Sequence, residues 1–172
     1  METENGLIGL SYCSTATFDA RRGDFGVNPE VNRILVHSRR NNRKREIGGV
    51  LHFGEGFFFQ YLEGPADVVD QLYATICRDE RHEEVRQLTR RPIRSRRFQD
   101  WSMKFVAIER VVNEVVRRHQ LDRFNPYQFT PALIDDLVVS FVQTPNVDGE
   151  PEPRVPTVPR RQGFFQRMFR KS

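Results

Sequence analysis

Residues 57–64, Phe57-Phe58-Phe59-Gln60-Tyr61-Leu62-Glu63-Gly64, set a single amide inside an aromatic run that Gly64-Pro65 stops. A short apolar run ending in a turn signal reads as a buried strand. Strand side chains alternate, so Phe58, Gln60 and Leu62 share one face while Phe57, Phe59 and Tyr61 share the other. A buried amide without partners costs about 1–3 kcal/mol, so Gln60 must be paired wherever its face is covered. Its side chain has a donor end and an acceptor end and can join two different groups. An edge strand with Gln60 turned to water would satisfy it equally, and the rest of the chain decides between the two.

The length of 172 residues suits one domain with a core and some extensions, and 14 Phe supply ample apolar surface. The formal charge of +4 is unevenly placed. Six cations and no acid in 154–172, with three acids in 145–153, account for most of it and leave residues 1–144 at +1. A nucleic-acid-binding body should show a basic face, so none is expected for the core. Cys13 and Cys77 form no disulfide framework, and His37, His52, His82 and His119 have no metal-ligand spacing. Met1-Glu2-Thr3-Glu4 is acidic where a signal peptide is basic, and no apolar run reaches spanning length, so a cytoplasmic protein is expected.

Residues 6–14 read as a first strand with Ile8, Leu10, Tyr12 and Ser14 on one face. A polar loop over 17–28 ends at Asn28, an N-cap followed by Pro29 and Glu30, the signature of a helix start. Val31, Ile34, Leu35 and Ser38 form its inward stripe, which continues to Asn42 with Asn41 beside it. Asparagines also end helices, and that reading stays open for both. A second strand over Glu46–Phe53 turns at Gly54-Glu55-Gly56 onto the Gln60 strand. Pro65-Ala66-Asp67 opens a helix with the stripe Val68/Val69, Leu72 and Ile76, ending at Asp79-Glu80-Arg81-His82. A strand follows over Val85–Pro92, then a basic loop (Arg94, Arg96, Arg97), then a strand from Trp101 with Trp101, Met103 and Phe105 on one face. Residues 109–119 and 131–143 pattern as amphipathic helices.

The order β-α-β-β-α-β-β with right-handed crossovers predicts an α+β ferredoxin-like sandwich. A mixed five-stranded sheet carries two helices on one face, and the C-terminal helices cover the other. Tyr12 and Gln60 then lie on adjacent central strands, facing the first helix pair. The polar end of the first helix, Asn41 and Asn42, hangs over the same face. Such a cluster calls for a polar ligand edge without naming the ligand.

Several stretches carry a resemblance: Leu10-Ser11-Tyr12-Cys13-Ser14, Ile34-Leu35 through Asn42, Ile47-Gly48-Gly49-Val50-Leu51, Phe59-Gln60-Tyr61-Leu62-Glu63-Gly64, Asp79-Glu80-Arg81-His82 and Arg97-Phe98-Gln99-Asp100-Trp101-Ser102-Met103. In this order, over about residues 6–107, they closely resemble the BLUF family of blue-light sensors that use FAD. The resemblance implies a flavin ring between the two helices, with FAD as cofactor and FMN or riboflavin able to substitute. Tyr12 would be the electron and proton donor, and Gln60 the bridge between its hydroxyl and the ring. Asn42 would hold the C4=O/N3 edge, with Asn41 and Arg81, flanked by Asp79 and His82, on other polar parts of the cofactor. Ile34, Ser38, Phe58 and Ile76 would line the ring pocket. Trp101 and Met103 would carry the change outward, so the chain would signal rather than catalyse. Two departures stand out: the family's Ile-Thr-Gly turn is Ile47-Gly48-Gly49 here, at an expected cost in rigidity, and the loop after Tyr12 is longer than usual.

The resemblance marks a sensor core (1–107), and the pattern of the remaining residues divides them into capping helices (108–144), a flexible proline-rich linker (145–159) and a basic amphipathic tail (160–172). In the tail, Phe164, Phe165, Met168 and Phe169 oppose Arg161, Arg167 and Arg170, a pattern suited to an anionic membrane surface through Arg160–Lys171, or to a partner's groove. A tail that folds back or does nothing is the alternative. The expected partners are an unidentified downstream signalling protein and further copies of the chain. The competing function is a light-indifferent ferredoxin-like module that binds RNA on Phe57, Phe59 and Tyr61, or binds a partner protein. Tyr12, Trp101 and Met103 as plain core, and Arg81 paired with Asp79 or Glu80, remain the ordinary alternatives for those residues.

Overall fold

The computed structural model describes residues 6–20, 27–107 and 109–145. The basic tail and all but the first residue of the proline-rich linker lie outside the described residues. The strands are β1 (Leu7–Ala16), β2 (Gly48–Gly54), β3 (Phe57–Pro65), β4 (His82–Pro92) and β5 (Lys104–Phe105). The helices are α1 (Pro29–Lys44), α2 (Ala66–Ile76), α3 (Glu109–Arg118) and α4 (Pro131–Gln143), with a short 3-10 helix at Pro126–Gln128 that the sequence reading did not contain.

Local chemistry sets the element ends. Asn28 Oδ1 accepts from the Glu30 N–H at 2.9 Å, and Pro29 occupies the first helical position of α1. Thr130 Oγ1 accepts from the Leu133 N–H at 3.2 Å and starts α4 in the same manner. The β2–β3 hairpin closes through Glu55 (φ 53°) and Gly56 (φ 80°), the positive pair that a tight two-residue turn requires.

The sheet order is β4-β1-β3-β2-β5. β1 runs antiparallel to both β3 and β4, while β5 pairs parallel with β2. This is the expected ferredoxin-like arrangement, and its sheet separates two apolar clusters. On one side Leu10, Tyr12, Leu35, Leu51, Phe58 and Met103 pack with α1 and α2. On the other, Val50, Phe59, Val115, Leu137 and Phe141 pack with α3 and α4.

The structure corrects the last strand. β5 is two residues long; a turn at 99–100 precedes it, Trp101 is irregular, and 102–103 form a bend. Met103 and Phe105 face α1 and α2, but Trp101 packs on the α3/α4 side. Strand alternation cannot be carried back through a segment that is not extended, which is why Trp101 leaves the expected face. β2 likewise starts at Gly48 rather than at Glu46, whose φ of 57° is outside the extended region.

Gly48 proves to be a close-approach glycine. A Cβ there would lie 2.5 Å from the Phe98 carbonyl oxygen, so its absence admits the 97–98 loop. Buried Glu63 fastens the same loop, because its Oε1 accepts from the Phe98 N–H at 2.5 Å. On the α4 side, buried Lys104 donates from Nζ to the carbonyls of Phe141 (2.7 Å) and Val142 (3.4 Å). No helix among the described residues is long and apolar enough to cross a membrane.

Candidate flavin site

Tyr12 and Gln60 are direct cross-strand partners in the β1–β3 ladder, so the sheet register brings phenol and amide together. The Tyr12 hydroxyl donates to Gln60 Oε1. Gln60 Nε2 in turn donates to Met103 Sδ at 3.2 Å. All three residues are buried, and the amide is used at both ends. Burial first, then the Asp79 carboxylate, raises the Tyr12 phenol well above its ordinary pKa, so it is protonated at neutral pH.

The C-terminal end of α1 supplies the next polar groups. Asn42 is 1% exposed, and its Nδ2 donates to the Ser102 carbonyl at 2.9 Å. Its Oδ1 is buried and has no hydrogen-bond partner among the described residues. Arg39, one turn earlier, donates from Nε to the Met103 carbonyl at 2.9 Å. Two residues of one helix therefore grip consecutive carbonyls of the segment that carries Met103.

At the β4 end, the His82 ring lies 4.5 Å from that of Phe58, centroid to centroid, and its Nδ1 shares a 2.7 Å hydrogen bond with Ser14 Oγ. Burial lowers the His82 pKa to about 4, against the pull of Asp79, so the ring is neutral at pH 7. Asp79 receives Arg81 Nε at 2.9 Å, Nη2 at 2.6 Å and the Arg81 backbone N–H at 3.0 Å. This pairing holds the Asp79 carboxyl at about pKa 2. Two of the three guanidinium nitrogens of Arg81 are thus committed to Asp79.

The remaining expected residues divide by position. Ile34 and Phe58 belong to the cluster under α1 and α2, and half-buried Ile76 packs at its margin. Ser38 and Asn41 are half-buried on α1. Trp101 stands apart from the Tyr12–Gln60 pair, across the sheet, with Lys104 Nζ 5.5 Å from its ring centroid. Arg39, Ser14 and Tyr73 were not expected. Tyr73 lies 5.6 Å from Tyr12, centroid to centroid. The place of Ser14 on the Tyr12 face was the only sequence signal for any of them.

Two observations test whether a flavin suits this face. The buried Asn42 Oδ1 needs an N–H donor, and the pyrimidine edge of a flavin presents one between two carbonyls. The inward stripe of α2 is also incompletely covered: only Val69 is buried, while Val68, Leu72 and Ile76 are half-buried. An open apolar stripe on the same face as one unsatisfied buried acceptor suits a flat ring with a polar rim. The residues fit the group.

Comparison with known proteins agrees with this chemistry. The family model for BLUF, "Sensors of blue-light using FAD", matches residues 7–104. Photoactivated adenylate cyclase subunit beta of Euglena gracilis is 44% identical over 98 residues, which are 56% of this chain and 11% of that protein. The blue light- and temperature-regulated antirepressor BluF of Escherichia coli (strain K12) is 28% identical over 116 residues, 67% of this chain and 28% of that protein. The chain therefore spans only a minor part of the length of these relatives. Among solved structures, BlsA in its photo-activated state superposes with a TM-score of 0.73 at 26% identity, over 81% of this chain and 97% of that one. The dark-state structure of BlrB superposes with a TM-score of 0.65 at 28% identity, over the same shares. The extent of the family match, on a fold that pairs Tyr12 with Gln60, places this chain in the BLUF family of blue-light flavin sensors.

Proposed function

We propose that the chain is a blue-light photoreceptor that holds FAD non-covalently between α1 and α2 and signals through β5 and the C-terminal helices to a separate protein. The observation that carries this is the buried Tyr12–Gln60–Met103 chain beside the unpaired acceptor of Asn42. When bound, the flavin supplies blue absorption and, once excited, an oxidant. Asn42 holds its C4=O/N3 edge, Ile34, Phe58 and Ile76 flank it, and Ser38, Asn41, Asp79, Arg81 and His82 surround its polar periphery. FMN or riboflavin can fill the same ring pocket.

Tyr12 enters the photocycle protonated, so losing an electron obliges it to lose its proton as well. Gln60 Oε1 already accepts that proton's hydrogen bond. If the amide then turns over, its NH2 faces Tyr12 and its carbonyl faces Met103. A thioether sulfur accepts weakly and donates nothing, so the Gln60–Met103 bond does not survive the exchange. Release of Met103 frees the segment that Asn42 and Arg39 hold by its carbonyls. Tyr12 and Gln60 regain their starting states each cycle, so the chain turns over no substrate. Trp101 starts from the opposite side of the sheet and so follows the change instead of contacting the amide.

The roles read from the sequence for the core over 1–107, the cap over 108–144, the linker and the tail are part of this proposal. They include a cytoplasmic setting, a homo-oligomer built on the helical extension, and an anionic membrane surface for Arg160–Lys171. The RNA-binding alternative loses its support, because Phe59 and Tyr61 are buried beneath α3 and α4.

Gln60→Leu tests the proposal. The purified variant should stay yellow while the reversible red shift of its blue absorption band under illumination disappears. A shift that survives would remove the amide from the mechanism.

A further inference from the structure

Residues 90–97 contain five arginines and no acid, in a body whose net charge is close to zero, and light sensing uses none of them. Three are engaged. Arg90 forms a bidentate pair with Asp70, Arg91 forms one with Asp135 on α4, and Arg96 donates to the Glu46 carbonyl. Arg94 and Arg97 form no ion pair or side-chain hydrogen bond among the described residues, although the Arg97 charge acts on the buried Glu63 carboxyl from a distance.

Both line a cleft of about 350 Å³ between the end of β4, the loop that follows it, and α4. It opens on the sheet face opposite the flavin side. Its apolar wall is Ile93, Ile134 and Val138. The Arg91–Asp135 pair bridges β4 and α4 at its edge. Tyr61 reaches the cleft by crossing β1 at Gly9, where a Cβ would lie 2.3 Å from the phenol oxygen. The residue is 8% exposed, yet its hydroxyl has no hydrogen-bond partner among the described residues.

A site with two unpaired guanidinium groups, an uncommitted phenol and an apolar wall has a definite complement. Guanidinium forks match phosphate oxygens, and two of them match the charge of a phosphate monoester dianion. The phenol supplies a further donor. The wall excludes water from the remainder of the ligand, and the volume is that of a small-molecule pocket, not of an extended macromolecular surface. We infer that this cleft binds a small organic phosphate, its phosphate held by Arg94, Arg97 and the Tyr61 hydroxyl and its apolar body against Ile93, Ile134 and Val138. Binding would tie the 93–97 loop to α4, and the assignment stands whether or not the light-sensing mechanism is right.

The test titrates 1-naphthyl phosphate into the full flavin-loaded chain by calorimetry and by amide chemical shifts, with 1-naphthol and inorganic phosphate run separately. We expect one saturable site below about 1 mM, with shifts confined to 89–97 and 134–138. Each half-ligand should bind at least about tenfold more weakly. Arg94→Glu/Arg97→Gln should weaken naphthyl phosphate about tenfold or more while the chain stays folded and yellow, since both side chains are exposed. Undiminished binding to the double variant would overturn the inference. So would shifts that map to the α1/α2 face, or inorganic phosphate binding as tightly as the ester. Absence of saturation at about 10 mM would also overturn it.

Discussion

Replacing Lys104 with Met would remove the ammonium that closes the end of α4 while keeping a side chain of similar length. The last carbonyls of a helix have no partner within it, and Lys104 Nζ serves two of them, at Phe141 and Val142. The 2.7 Å bond to Phe141 is charge-assisted and contributes about 1.5–3 kcal/mol, whereas the 3.4 Å contact to Val142 adds little. The position over the Trp101 ring adds about 0.5–1 kcal/mol. Against these stands the desolvation of a cation at a residue only 3% exposed, which Met avoids, and which also lowers the lysine pKa. The balance is a loss of about 2 kcal/mol, or about 4–8 °C in thermal midpoint for a chain of this size. Urea unfolding would measure the total. Hydrogen exchange would localise it, because the Thr144 amide, bonded to the Ser140 carbonyl at 3.1 Å, should exchange faster in the variant. Unchanged stability together with unchanged protection at Thr144 would show that the lysine closes nothing.

Further predictions concern pH and close packing. Burial holds His52 at a pKa of about 4, and its Nδ1 hydrogen bonds the Val106 carbonyl at 2.6 Å. Because the unfolded chain takes up this proton first, the His52 contribution is complete above about pH 6.5 and declines toward pH 4 by up to about 1.4 kcal/mol per pH unit, and His82, also held at about 4, adds a like slope. Denaturant midpoints at pH 7.5, 6 and 5 would reveal the slope, and a flat profile would refute it. Gly48→Ala drives a methyl group to 2.5 Å from a backbone oxygen and should cost about 1–3 kcal/mol, read as a lowered urea midpoint.

Periodicity made most of the framework legible. The N-cap at Asn28, the hairpin at Glu55-Gly56 and the apolar stripes of α1, α3 and α4 are local signals that the folded chain keeps. The Tyr12–Gln60 pairing was legible because topology and alternation together fix which residues oppose each other. What remained hidden depends on tertiary contact. Lys104 and Glu63 look like surface charges in a sequence, and only the ends of α4 and of the 97–98 loop explain why they are buried. Trp101 was misassigned because its backbone turns before β5 begins, which no side-chain pattern announces. The glycine at Gly48 suggested slackness and instead permits a tight contact.

Each side of the sheet keeps its own oily layer, one under α1 and α2 and the other under α3 and α4. The strands form a stiff partition, and a disturbance on one side has few ways through. Met103 and Lys104 make one such passage through a single peptide link: one side chain touches the Gln60 amide, and its neighbour in the chain reaches the end of α4. A rotation of that link moves both at once, so a pair of adjacent residues that look in opposite directions can tie one oily layer to the other.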